Sequence, residues 1–147
     1  EILRCLVGSE MCIRDRCPPQ SIKVGGCKME RTYIISRYRG SEREQKFNKN
    51  VARYFCKQLL DEGKIPVAPH IYYTQFLDDN FRDDRECGLK LGIMELRHSQ
   101  SFLLVIIDGI ISEGMKREIV EVSRMGIPGR IVTMTHEEIR QAMKVIR

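Results

Sequence analysis

The apolar positions of this chain fall into two kinds of pattern that alternate along it. Thr32–Ser36 is a short β-branched and aromatic run that ends in the polar stretch Arg37–Gly40, which predicts a strand feeding a loop. From Ser41 to Glu62 the period changes: Phe47, Val51, Phe55 and Leu59 recur every fourth residue. Ser41 stands at the cap, Glu44 at the capping-box position, and Gly63 follows, so a helix is expected. Ile65–Pro69 reads as a second strand, and its two prolines assign it to a sheet edge because neither can donate to a ladder. Phe102–Ile107 is continuously apolar, as a central parallel strand covered on both faces should be.

Between these strands, helices are expected over about Asp83–His98, with Leu89, Gly92, Ile93 and Leu96 inward, and over Ser112–Met125, closed by Gly126. A fourth strand, Arg130–Thr135, and a last helix, His136–Ile146, complete the chain. Strict alternation of strand and helix predicts an α/β fold, a Rossmann-like or flavodoxin-like three-layer α/β/α sandwich with a parallel sheet of four or five strands. Such sheets bind ligands beyond the carboxyl ends of their strands, where strand order reverses. The loops Ser36–Gly40, His70–Asn80 and Asp108–Met115 are therefore expected to converge on one small-molecule site.

Residues 1–28 fit none of this. They carry no period of 2 or 3.6, include the breaker Cys17-Pro18-Pro19, and hold four of the six cysteines. Residues 1–16 resemble translated sequencing-adapter DNA, and Met29 is the expected start of an α/β domain over residues 29–147. Setting the extension aside removes five basic and three acidic residues, so the formal charge falls from +5 to +3. Basic and acidic residues interleave throughout, without the basic stripe and aromatics of a nucleic-acid groove, so no nucleic-acid partner is expected. The longest apolar run is six residues against the roughly 20 of a membrane span. No Cys-x-x-Cys pair or secretory signal is present, which points to reduced thiols and a cytoplasmic protein with no metal or cofactor.

The candidate chemistry lies in the loops. Ser112 followed by Gly114 sets a cap hydroxyl and open backbone N–H groups at a helix start, suited to a phosphate or carboxylate. At about 100° per residue, Met115, Ile119 and Val122 share an inward face. Glu118 lies roughly 60° from Met115, at the border of that apolar seam, whereas Glu121 is expected to be solvated. Arg37 and Arg39 could grip a phosphate as planar donors. His70 could be a ligand contact or a loop anchor, and Asp78-Asp79 a turn cap.

Five motifs occur in order: Tyr33-Ile-x-Ser-x-Tyr-Arg-Gly40, Pro66-x-Ala-Pro-His70, Gln75-Phe-Leu-Asp-Asp79, Glu86-x-Gly-Leu-x-x-Gly92 and Ser112-Glu-Gly-Met-x-x-Glu118-Ile119. Together, over about Thr32 to Ile131, they resemble an uncharacterised bacterial and phage domain family similar in fold to the nucleoside 2-deoxyribosyltransferases and nucleotide N-glycosidases. The resemblance implies a Glu that attacks the anomeric carbon of a sugar, matched by Glu118, and a Tyr that orients it, matched by Tyr38. Where the transferases carry an Asp and a Gly-Thr pair before the helix, this chain has Asp108-Gly-Ile-Ile-Ser-Glu-Gly114. The departing base needs a proton, for which Asp78, Asp79, His70 and Asp108 are candidates in no settled order.

The expected catalytic set is Glu118, Tyr38 and Asp79. The expected substrate contacts are Ser36, Arg37, Arg39, Gly40, His70, Gln75, Asp78, Asp108, Ser112, Gly114 and Met115. The implied activity is cleavage or transfer at the N-glycosidic bond of a nucleoside or nucleoside 5′-phosphate; the alternative is a module of the same fold that senses a nucleotide without cutting it. A homo-oligomer is expected through the helix Asp83–His98, whose apolar residues spread over more than one face.

Overall fold

The computed structural model describes residues 22–24 and 27–145. The adapter-like segment 1–16, the breaker that follows it, and Cys5, Cys12 and Cys17 lie outside the described residues. A short antiparallel hairpin comes first, β1 (Ile22–Val24) with β2 (Cys27–Met29). The sequence gives no sign of it, because three-residue strands are too short to establish a period.

The domain proper then runs β3 (Arg31–Ile35), α1 (Glu42–Asp61), β4 (Ile65–Val67), α2 (Pro69–Tyr72), α3 (Arg82–Arg97), β5 (Ser101–Ile107), α4 (Glu113–Met125), β6 (Gly129–Met134) and α5 (His136–Val145). The four long-range strands form one parallel sheet in the order β4-β3-β5-β6. β5 is internal, as its unbroken apolar run predicts, and proline-bearing β4 is an edge, as predicted. The chain leaves β3 in one direction to reach β4 and returns past it to β5, so the switch point lies between the ends of β3 and β5.

Alternate residues of the strands separate two cores. Tyr33, Ile35 and Leu104 pack with Leu96, Met115 and Val122 on one face. Ile34, Leu103 and Val105 pack with Val51, Phe55, Leu59 and Ile139 on the other. Each fully buried aliphatic side chain contributes about 1.5–3 kcal/mol relative to exposure. The helix ends follow the expected chemistry. Ser41 and Glu44 close a reciprocal capping box on α1, and Thr135 and Glu138 make the same exchange at the start of α5. Gly126 ends α4 with φ 63°, a left-handed turn that any Cβ would strain.

The stretch His70–Asn80 is more regular than a loop. Pro69 supplies the fixed φ of a first helical residue, and α2 passes into a single 3-10 turn at Tyr73–Gln75. No helix among the described residues is long and apolar enough to cross a membrane.

Candidate functional site

Tyr33 is fully buried in the middle of β3, pointing to the face covered by α3 and α4. A phenol in that position requires a polar partner. Its hydroxyl donates to Glu118 Oε1 at 2.6 Å. Gly92 of α3 gives the hydroxyl its space, since a Cβ there would come within 3.3 Å of it. Glu118 projects from α4 beside buried Met115 and Val122, which bears out its predicted place on the apolar seam.

The electrostatics follow from this burial. Loss of water raises the Glu118 carboxyl to about 7, against a smaller opposing pull from the Tyr33 hydrogen bond. Burial likewise pushes the Tyr33 phenol well above its ordinary value, helped by the charges of Glu118 and then Glu95. Near neutral pH, Glu118 is thus divided between an acid and a carboxylate, the condition that suits proton transfer. Glu95 belongs to an adjoining cluster: Arg31 pairs with it at 2.7 Å, and the Tyr73 hydroxyl reaches it at 3.4 Å.

Two expectations need correction here. The tyrosine that meets Glu118 is Tyr33 on the strand and not Tyr38 in the loop. Tyr38 instead lies with its ring 6.5 Å from that of His70 and under the Lys49 ammonium. Glu121 is not solvated. Arg97 of α3 donates to it at 2.6 Å and Arg124 approaches at 3.9 Å, which holds its carboxyl below the usual range.

The strand-end loops form two recesses, where the sequence predicts one. At the switch point, a cavity of about 160 Å³ is lined by Ser36, Arg37, Asn48, Asp108, Ile110 and His136. A more open, polar cleft of about 620 Å³ gathers Tyr38, Arg39, Gly40, Gln75, Asp78 and Asp79. Glu118 lines neither.

Several candidates are occupied by structural bonds. Asp108, in a left-handed conformation with φ 51°, accepts from the backbone N–H of His136 at 2.9 Å and so anchors the start of α5. Asp78 caps its own turn by accepting both nitrogens of Asn80. Ser112 accepts from Met115 N at 3.3 Å as the N-cap of α4, with Gly114 in the first turn. Arg37 reaches Glu44 at 3.2 Å, and Arg39 lies 3.9 Å from Asp79. Ser36 and His70 join the ends of β3 and β4, Oγ to Nε2 at 2.9 Å. Burial lowers His70 to about 4, so the ring is neutral at pH 7 and serves as the anchor that was one of its two readings.

Residues 30–132 match DUF7768, a family described as a domain of unknown function. The chain belongs to that family. No curated protein matches it. The DUF7768 region runs from the residue before β3 into β6, and so carries Tyr33, Glu118 and every candidate named in the three loops. All five motifs fall inside it, in agreement with the uncharacterised family expected over about Thr32 to Ile131. The hairpin and α5 lie outside it.

Sequence reasoning missed Tyr33, Asn48, Lys49 and His136. For Tyr33 a signal exists. It shares the strand's parity with Ile35, and a phenol on an inward face must find a partner within reach. For His136, stacked on Phe47 with ring centroids 3.9 Å apart, no local pattern gives the contact.

Proposed function

We propose that this domain cleaves or transfers at the N-glycosidic bond of a nucleoside or nucleoside 5′-phosphate, with Glu118 as the carboxylate that meets the sugar. The observation that carries the reading is the Tyr33–Glu118 pair, 2.6 Å long, in apolar surroundings that lift the carboxyl to about 7. Its motifs resemble an uncharacterised family similar in fold to the nucleoside 2-deoxyribosyltransferases and nucleotide N-glycosidases, in which a Glu at the position of Glu118 attacks the anomeric carbon.

The reaction develops positive charge on the sugar as the bond to the base breaks. Ionised Glu118 attacks the anomeric carbon, a C–O bond replaces the C–N bond, and the departing base takes a proton. Water, or a second base, then displaces the glutamate and restores it. Tyr33, whose phenol stays protonated, holds the carboxylate in one orientation throughout. Arg37 and Arg39 suit a 5′-phosphate, each by giving up a surface carboxylate partner for it. Asp79, in the polar cleft, is the candidate donor to the base.

A second reading has an observation of its own. Because Glu118 lines neither recess, a nucleotide could occupy the cleft without meeting it, and the domain would then sense its ligand without cutting it. Incubation with a panel of nucleosides, deoxynucleotides and nicotinamide dinucleotide, with chromatography for free base, separates the two. The glycosidase reading expects base release from at least one substrate, lost in Glu118→Gln. Binding of a nucleotide without base release transfers the conclusion to the sensor.

A further inference from the structure

The two edges of the parallel sheet are built differently. β4 is three residues long, with Pro66 inside it and Pro69 just beyond, so little of it can accept another strand. β6 is six residues long and contains no proline, and no strand pairs with its outer side among the described residues. Its one charged side chain, Arg130, is drawn to Glu62 at 2.6 Å.

The backbone groups that β6 presents can be read from its bonds to β5. Phe102 N donates to Pro128 O and Asp108 N to Met134 O, each at 3.0 Å. Alternation along a strand gives Arg130 and Val132 the same direction, toward β5. The N–H and C=O groups of Gly129, Ile131 and Thr133 therefore point away from the sheet. Ile131 is also 64% exposed on the side chain's own face.

We propose that β6 is a self-association edge, pairing antiparallel with β6 of a second copy about a two-fold axis through Ile131. This register uses every outward group: Ile131 faces its own counterpart, and Gly129 and Thr133 face each other, three hydrogen-bonded residue pairs in a row. Arg130 falls opposite the counterpart of Val132, so the two arginines do not meet. The flanking helix adds charge complementarity. α5 covers the same face as Val132 and Met134, begins with Glu137 and Glu138, and ends with Lys144. A two-fold axis reverses the second copy's helix, which brings the acidic start of one to the side of the basic end of the other. The contact is isologous and closed, and joins the two sheets into one.

The competing surface is the exposed apolar group of Tyr72, Phe76 and Phe81 at the start of α3 and in the turns before it. It adjoins the helix through which the sequence predicts association, but nothing in it is self-complementary in the way β6 is.

Sedimentation equilibrium on the full chain at micromolar concentration tests the proposal. Wild type and Ile131→Thr, which keeps a β-branched residue, should be dimers. Ile131→Lys, which sets two ammonium groups against each other across the axis, should be a monomer with an unchanged far-ultraviolet spectrum. Hydrogen exchange on the wild type supplies a second readout that needs no variant: the amides of Gly129, Ile131 and Thr133 should slow as concentration rises through the dissociation constant. A monomeric wild type, a dimer that survives Ile131→Lys in folded form, a dimer lost instead in Phe76→Ser, or amides of β6 indifferent to concentration would each overturn it.

Discussion

Glu118 and Glu121 stand three residues apart on α4, both at its seam with α3, and the two ends of that seam treat them in opposite ways. At Glu118, α3 contributes Gly92, which has no side chain and leaves room for the Tyr33 hydroxyl that donates to Glu118. Burial dominates and the carboxyl rises to about 7. At Glu121, α3 contributes Arg97, whose guanidinium lies 2.6 Å away and holds the carboxylate ionised. The same residue type on the same helix titrates near neutral pH in one place and is a structural ion in the other. What differs is the residue that α3 offers. This is why helix position alone does not set the charge of a carboxylate, while position together with its partner does.

The largest effect that could break the comparison is on turnover. Glu118→Gln should lower base release by several orders of magnitude, because a carboxylate facing a cationic transition state in a dry site is worth several kcal/mol and each ~1.4 kcal/mol is tenfold. Glu113→Gln is the matched control and should change little, since Glu113 is an exposed partner of Lys116. Equal loss in both would remove the distinction.

Next comes stability against pH. A carboxyl raised from 4.5 to about 7 favours the folded state most when protonated, so wild type should lose on the order of 3 kcal/mol relative to Glu118→Gln as pH rises from 4.5 past 7. His70 works in the opposite direction. Its folded value of about 4 lies below the ordinary 6.5, so its contribution is full above 6.5 and disappears as pH falls through 4, again on the order of 3 kcal/mol. Denaturant melts of wild type, Glu118→Gln and His70→Gln at several pH values resolve the two slopes.

Glu121→Gln should cost only a small drop in melting temperature, and added salt should shrink the difference, because Arg97 is 59% exposed. A large, salt-independent loss would contradict the reading of this pair as a half-exposed surface ion pair. The smallest effect concerns the N-terminus. A chain starting at Met29 lacks the hairpin but keeps both cores, and should melt within a few degrees of the full chain.

The sheet and its order of elements were legible because they depend on periodicity. Four-residue spacing gives α1, the apolar run gives β5 an internal place, and the prolines make β4 an edge. Glu118 was legible for the same reason, as a carboxylate at the margin of an apolar stripe. Its partner was not, because Tyr33 and Glu118 are 85 residues apart and the choice between Tyr33 and Tyr38 depends on which one the strand turns inward. Glu121 was misread because Arg97 arrives from another helix, 24 residues away. The division of the loops into two recesses has the same origin. Loop residues follow no period, and their directions are set by contacts such as Asp108 with His136 and Ser36 with His70.

The central claim is that burial beside Tyr33 sets the charge of Glu118. Carbon NMR of the side-chain carboxyls, titrated from acid to alkaline pH in wild type and Tyr33→Phe, measures this directly. The account predicts a Glu118 midpoint near 7 in wild type, a Glu121 midpoint below the ordinary 4.5, and a further rise for Glu118 in Tyr33→Phe, which loses the one bond that lowers it. A Glu118 midpoint near 4.5 in wild type, or one unmoved by loss of the Tyr33 hydroxyl, would contradict it.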